Sequence, residues 1–357
     1  MDFSKIKKNF QKLKDGEITV KDGLISKEDA LNLFKISKLE DYIKLFYLAS
    51  QVRDYFIKEI EITSTIHITN ICEISPKCFY CGFAAGTSKV GYYEPFRLSD
   101  EDIKRCAIAI EKSGICRVSC SSGHGYEGKE VIRALRIVKE NTNLKVLVNA
   151  GGDLTEESIR KLKKYGIDTI CCNLETINRE LFERLKPGES LDRRMEICKL
   201  VKRYNIELSS GLLIGIGESY RDRVEHLLFL KELDVDEIPI MGFNPYPGTP
   251  MENHPRCSAL EQGKTIAITR LMFPHIRITS PTPTIGPELV KFALLAGASN
   301  IATVIPENYP LDVKGVGNPK TGNLREVVRM IKELGLKPKL RDNRGSYEVE
   351  GGSHKDV

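Results

Sequence analysis

The sequence predicts an α/β fold, a closed eight-stranded TIM-type (β/α)8 barrel with a helical extension in front of it. From Ile62 onward, short apolar strands alternate with amphipathic helical stretches, the order that implies parallel strands joined by crossover helices. The eight strand and helix units run without a reversal of order, which favours a closed barrel over the competing open, doubly wound sheet. A cysteine-rich loop follows directly after the first strand, and barrels place their working residues at the carboxyl ends of strands. The 357 residues suit one such barrel, although length alone also admits two small domains.

Residues 1–60 read as the helical extension. Ser26 to Asp29 can cap the run Ala30 to Phe34, and apolar residues recur at helical spacing from Leu39 to Ile57. Residues 61–310 carry the barrel, with strands expected near Thr65 to Thr69, Arg117 to Cys120, Lys145 to Val148 and Thr169 to Asn173. The second half continues with Glu207 to Ile214, Glu237 to Met241, Arg277 to Ser280 and Asn300 to Val304. Helices fill the gaps at Asp102 to Lys112, Val131 to Glu140, Glu156 to Lys164, Arg193 to Arg203, Arg221 to Lys231 and Leu260 to Met272. Residues 311–340 form a closing segment with a helix from Leu324 to Leu334, and the polar, Gly-rich stretch 341–357 reads as a poorly ordered tail.

Hydrophobic residues make up 41% and charged residues 29%, enough apolar material for a sizeable core and too much for wholesale disorder. A net charge of +5, with Lys and Arg scattered among Glu and Asp, suits an anionic small molecule or an acidic partner and falls short of a nucleic-acid-binding signature. Met1 to Lys7 lacks an apolar core of signal-peptide length, and no apolar run approaches the roughly 18 residues of a membrane span. The expectation is therefore a cytoplasmic protein that engages neither membrane nor nucleic acid, with its oligomeric state open.

Such a chain is expected to keep its ten cysteines reduced. Cys106, Cys116, Cys120, Cys171, Cys172, Cys198 and Cys257 lie mostly in apolar segments and read as small buried hydrophobes. Cys72, Cys78 and Cys81 differ, because they fall within ten residues in the run Ile71-Cys72-Glu73-Ile74-Ser75-Pro76-Lys77-Cys78-Phe79-Tyr80-Cys81-Gly82-Phe83. Four thiolates would close a structural zinc or an electron-transfer cluster, whereas three leave one metal position for a ligand that is not protein. A zinc site completed by His67 is the alternative, although a histidine inside an apolar strand is more often a core residue.

On these residues the chain resembles the radical S-adenosylmethionine superfamily, in which three loop cysteines hold a [4Fe-4S] cluster and the methionine moiety binds its fourth iron. Most members space the cysteines by three and two. The spacing of five and two here resembles the small branch linked to making the iron-guanylylpyridinol cofactor of the iron-only hydrogenase of methanogens.

The resemblance extends to biotin synthase, the [FeFe]-hydrogenase maturase and the enzyme of pyrrolysine biosynthesis, and it implies roles for further residues. Tyr80 packs near the adenine, and Ser122 and Gly123 of Cys120-Ser121-Ser122-Gly123-His124-Gly125 meet the methionine amino group. His124 replaces the usual acid of that motif and is a candidate to face the substrate. Asn173 and Glu175, two apart on one face, hold the ribose hydroxyls, for which a carboxylate accepts two hydrogen bonds. Arg194 meets the carboxylate of S-adenosylmethionine with a planar, charged fork. The run Gly211 to Glu218 lets backbone approach the adenine, Leu213 supplies an apolar wall, and Asn244 makes a backbone adenine contact.

Biotin synthase itself fits poorly, because the positions matching its second cluster are Ser119, Leu147 and Ser209, with Arg277 alone retained. The implied function is reductive cleavage of S-adenosylmethionine to a 5′-deoxyadenosyl radical that acts on a small organic substrate, fed by an electron donor such as a ferredoxin. The implied pathway is formation of the pyridinol part of the iron-guanylylpyridinol cofactor. Candidate substrate residues at strand ends are His124, Asn149, Met241, Arg277 and Thr279. The alternatives are a radical mutase or lyase acting on an amino-acid-derived substrate and, more distantly, a noncatalytic iron-sulfur or zinc protein.

Overall fold

A computed structural model describes residues 3–82, 95–310, 312–313 and 322–341. The expected tail lies outside the described residues from position 342 on, as do parts of the closing segment.

The extension forms α1 (Ser4–Lys14), α2 (Lys27–Phe34) and α3 (Leu39–Phe56). As its sequence predicts, α2 starts in a capping box, with Ser26 Oγ accepting from Asp29 N at 3.1 Å and Asp29 Oδ2 accepting from Ser26 N at 3.0 Å. The extension packs on the barrel's outer helices: Leu24 N donates to Leu271 O at 2.8 Å, and buried Lys264 donates to Phe34 O at 3.0 Å.

The barrel strands are β1 (Ile60–Thr69), β2 (Arg117–Ser122), β3 (Lys145–Asn149), β4 (Thr169–Cys171), β5 (Glu207–Ser209) with its continuation β6 (Leu212–Ile214), β7 (Glu237–Gly242), β8 (Arg277–Pro281) and β9 (Asn300–Ala302). All pair in parallel and in sequence order, and β9 returns to β1 through Glu61↔Asn300 and Thr63↔Ala302, so the sheet closes. Around it run α4 (Asp100–Lys112), α5 (Lys129–Asn141), α6 (Glu156–Lys164), α7 (Arg179–Leu185), α8 (Leu191–Arg203), α9 (Tyr220–Glu232), α10 (Ala259–Met272), α11 (Thr282–Ile285) and α12 (Val290–Leu295). The chain ends in a short ribbon, β10 (Val304–Ile305) with β11 (Gly322–Asn323), then α13 (Leu324–Glu333) and β12 (Pro338–Lys339), which pairs with β1.

The single fifth strand expected over Glu207 to Ile214 is broken after Ser209. Gly211 lies so close to β7 that an added Cβ would stand 1.9 Å from Pro239 O. That glycine, with Gly215 packed against Cys257, makes close contacts within the fold.

Period-two alternation sorts the strand residues. Val118, Val146, Val148, Ile170, Leu208, Ile238, Ile278 and Ile301 point outward and are fully buried beneath the helices. The alternate positions point inward and are mostly polar, including Thr63, Thr65, Ser119, Asn149, Thr279 and Asn300. Barrel interiors are usually packed with branched aliphatics, so this one is built as a chamber. Its lining encloses about 220 Å³.

Ion pairs floor the chamber at the amino ends of the strands. Arg117 donates to Glu237 at 2.6 Å and reaches Glu61 at 3.4 Å and Thr169 Oγ1 at 3.1 Å. Burial opposes ionisation of Glu237, but Arg117 and Arg277 prevail and pull its carboxyl down to about 2.

Candidate active site

The loop after β1 carries all three clustered cysteines to the carboxyl end of the barrel. Cys78 is buried, Cys72 and Cys81 are half-buried, and all ten cysteines are free. Among the described residues no three His, Cys, Asp or Glu side chains converge on a position for one metal ion. A cluster that binds each thiolate through a different iron does not require such convergence, whereas tetrahedral zinc does. Burial raises the Cys78 thiol far above its ordinary pKa, so metal binding must displace its proton.

Close packing fixes the loop. Gly123, after β2, sits where a Cβ would meet Ile71 O at 2.1 Å, and Gly188 sits where one would meet Pro76 O at 2.3 Å. Phe79 N donates to Leu185 O at 2.9 Å, and Glu73 N donates to His124 O at 2.8 Å. The segments after β1, β2 and α7 thereby hold one another without intervening side chains.

Beside Cys78 stands a buried charged group drawn from three segments. Arg194, on α8, is 3% exposed and donates Nε to Glu189 Oε2 at 2.5 Å and Nη1 to Asn173 O at 2.5 Å. Lys186 lies 3.2 Å from Glu175 Oε1 and 3.1 Å from Glu189 Oε1. Burial works against each charge. Glu189 nevertheless stays well below the usual carboxylate range because Arg194 and Lys186 flank it, and Arg194 is held charged by Glu189 and Glu175.

Glu175 adopts a left-handed backbone, φ 67, and is stitched to the fifth strand by Glu175 N to Gly211 O and Leu213 N to Glu175 O, both 2.9 Å. A glutamate in that region is uncommon, and its strain turns the carboxylate toward Lys186 and Arg194.

The residues expected to hold S-adenosylmethionine therefore gather at the barrel mouth. Tyr80 OH, Ser122 Oγ and Asn173 Oδ1 are buried and have no hydrogen-bond partner among the described residues, which suits residues that meet a bound molecule. Leu213 is buried in β6, and Asn244 follows β7 with its side-chain amide 3.3 Å from Pro283 O. These residues fit both the cluster and the nucleoside.

Of the candidate substrate residues, Asn149, Met241 and Thr279 line the chamber. Thr279 is hydrogen bonded to Glu237 and accepts from Asn300 Nδ2 at 3.0 Å. His124 does not line the chamber. It lies on the rim with Nδ1 3.6 Å from Glu189 Oε1, and burial lowers its pKa to about 4, leaving the imidazole neutral.

Arg277 is misplaced as a substrate residue. It opens β8 at the amino end and bonds Glu61 at 2.8 Å and Glu207 at 3.3 Å, facing a cleft beneath the floor. A strand's first residue lies at the opposite end from the mouth, so Arg277 closes the barrel's base instead.

Two residues escaped the sequence reading. Lys186 and Glu189 bracket the turn Lys186-Pro187-Gly188-Glu189, whose charges ahead of a helix look like an ordinary solvated turn. His67 lines the chamber, and its inward position follows from the same period of two that places Thr65 there.

Cys171 lines the chamber below the mouth, and its thiol is pushed up to about 12 by burial. Cys171→Ala is expected to leave iron and sulfide content unchanged after reconstitution. Loss of iron in that variant would overturn the division between ligand and spare cysteines.

A sequence profile described as the radical SAM superfamily matches residues 66–230, and one described as the Biotin and Thiamin Synthesis associated domain matches residues 239–337. An uncharacterized protein of Methanocaldococcus jannaschii is 77% identical over 314 residues, covering 88% of this chain and 84% of its own length. The [FeFe] hydrogenase maturase subunit HydE of Thermotoga maritima is 30% identical over 308 residues, covering 82% of this chain and 86% of its own. The crystal structure of methylornithine synthase (PylB) shares the fold with a TM-score of 0.79 at 24% identity, covering 88% of this chain and 94% of the other.

Proposed function

From the premise that the chain belongs to the radical SAM superfamily and shares the biotin-synthase-associated domain, we propose that it is the radical enzyme of a pyridinol-forming step in iron-guanylylpyridinol cofactor synthesis. One arrangement carries the reading: Cys78, on the loop that also holds Cys72 and Cys81, sits against Glu189 and Lys186 in the buried charged group with Arg194 and Glu175, at the carboxyl end of the strands that line the chamber. When bound and reduced by one electron from a donor of the ferredoxin class, the cluster and S-adenosylmethionine supply a 5′-deoxyadenosyl radical able to take a hydrogen atom from a substrate.

The chain's own residues supply everything else. Arg194 and Lys186 offer donors for a carboxylate, while Glu175 and Asn173 offer acceptors for ribose hydroxyls. The closed ring of strands and its ion-paired floor shut the chamber to bulk water from the sides and below, as shielding of a radical requires. The inward hydroxyls and amides, set among apolar surface from Leu147, Pro239 and Met241, fit a small organic molecule held by a few polar contacts. The gap of five residues between Cys72 and Cys78 supports the pathway, and a relative that matures a hydrogenase fits the same kind of role. No helix among the described residues is long and apolar enough to cross a membrane, and a cytoplasmic setting accords with the free thiols.

A second reading is a mutase or lyase acting on an amino-acid-derived substrate. Similarity to the 3-methylornithine synthase of Methanosarcina acetivorans, 25% identical over 334 residues, favours it, since that name gives an amino-acid product. Protein reconstituted anaerobically with iron and sulfide, reduced with dithionite and given S-adenosylmethionine is expected to release 5′-deoxyadenosine, read by mass spectrometry. A full cluster with no such product would sink the radical reading. The pathway is tested by a host strain lacking this chain, which should lose the hydrogenase cofactor and regain it when fed a pyridinol. An unchanged cofactor level favours the second reading.

A further inference from the structure

The motif after β2 places His124 where an acid would accept from the amino group of S-adenosylmethionine, yet a carboxylate is present beside it from another part of the chain. Glu189 is gripped by Arg194 through one oxygen: Oε2 accepts from Arg194 Nε at 2.5 Å and also meets Arg194 Nη2 at 2.5 Å. Its other oxygen, Oε1, turns toward the cysteine loop and lies 3.6 Å from Cys78 Sγ and 3.6 Å from His124 Nδ1. The turn that carries it has no freedom to withdraw, because Gly188 packs on Pro76 O with no room for a Cβ. Glu189 also lines an open cleft of about 290 Å³ with His124 and Asp153, so the position is reachable from outside.

Lys186 lies 3.1 Å from Oε1 but is shared with Glu175 at 3.2 Å, so Oε1, an oxygen able to accept twice, keeps capacity for a further donor on the side of the cysteine loop.

Resting on the cofactor reading above, we propose that Glu189 is the acceptor for the amino group of S-adenosylmethionine, in place of the acid that His124 displaces. Arg194 and Lys186 then hold the carboxylate of the same methionine moiety. The acid has moved from the second strand's loop to the turn before α8, and Arg194 fixes its orientation.

The test uses reconstituted full-length protein, wild type and Glu189→Gln, with iron content checked in both. Binding is read from the change in the electron paramagnetic resonance signal of the reduced cluster as ligand is added. Glu189→Gln is expected to keep its cluster and bind S-adenosylmethionine about 10- to 100-fold more weakly, the usual effect of losing a charge-assisted hydrogen bond. An analogue lacking the amino group should bind wild type and variant alike, and Glu189→Asp should recover part of the lost affinity. An equal loss for both ligands would mean that Glu189 only positions Arg194, and that result overturns the proposal. If Glu189→Gln fails to take up a cluster, wild type alone decides: it must favour S-adenosylmethionine over the analogue by a similar factor, and equal affinity overturns the proposal. Wild type with a full cluster and no ligand-induced signal would overturn the cofactor reading and this assignment together.

Discussion

Cys78→Ala protein, reconstituted with iron and sulfide, is expected to show no cluster absorption and no 5′-deoxyadenosine. Of the three loop thiols Cys78 is the buried one, set against Glu189 and Lys186, so its loss removes the proposed ligand nearest the buried charged group. No other cysteine can replace it. Cys171 lies down in the chamber, and Cys172 is buried on the opposite face of the same strand against Arg194 O and Cys198. The fold should survive, because trimming one sulfur at the rim costs about 1 kcal/mol, a typical value for a point substitution. A variant with a native circular dichroism spectrum and no iron satisfies the prediction. A variant that retains a full cluster refutes it and reopens the zinc and noncatalytic readings.

Arg194→Lys should keep the cluster and weaken S-adenosylmethionine binding by about 10- to 100-fold, because lysine keeps the charge but loses the fork. Arg194 bonds two partners on opposite sides, the Glu189 carboxylate and the Asn173 carbonyl, and a point charge cannot span both. Asn173 O then loses a buried donor, at a cost of about 1–3 kcal/mol in stability. Calorimetric titration of the reconstituted variant reads the affinity, and a thermal melt reads the stability. An exposed helical arginine would give neither effect, and unchanged affinity would remove Arg194 from the site.

Much of this was legible along the chain. The alternation of strands and helices located the barrel strands to within a few residues, and Cys72, Cys78 and Cys81 announced themselves by spacing alone. Asn173, Glu175 and Arg194 were named from the resemblance to biotin synthase and its relatives, and the structure brings all three together. Arg277 was counted among the strand-end candidates, but it begins its strand, at the opposite end from the mouth. Period two assigns a face, but height along the barrel axis depends on where each strand begins. The break in the fifth strand depends on a carbonyl of the neighbouring strand, which nothing within Glu207 to Ile214 encodes.

The sequence by itself determined the fold class and the outward apolar faces and set the three clustered cysteines apart from the other seven, because each is written in spacings within one loop or one element. Only the tertiary structure decided what stands beside the cysteines. Lys186 and Glu189 are over a hundred positions from Cys72 in the chain, and their charges look solvated until the barrel closes. Closure brings the turn before α8 onto the cysteine loop, where burial makes each charge depend on its neighbours. The same closure separates mouth from floor, placing Arg277 and Arg117 in the base and leaving the hydroxyl-lined chamber between two charged ends.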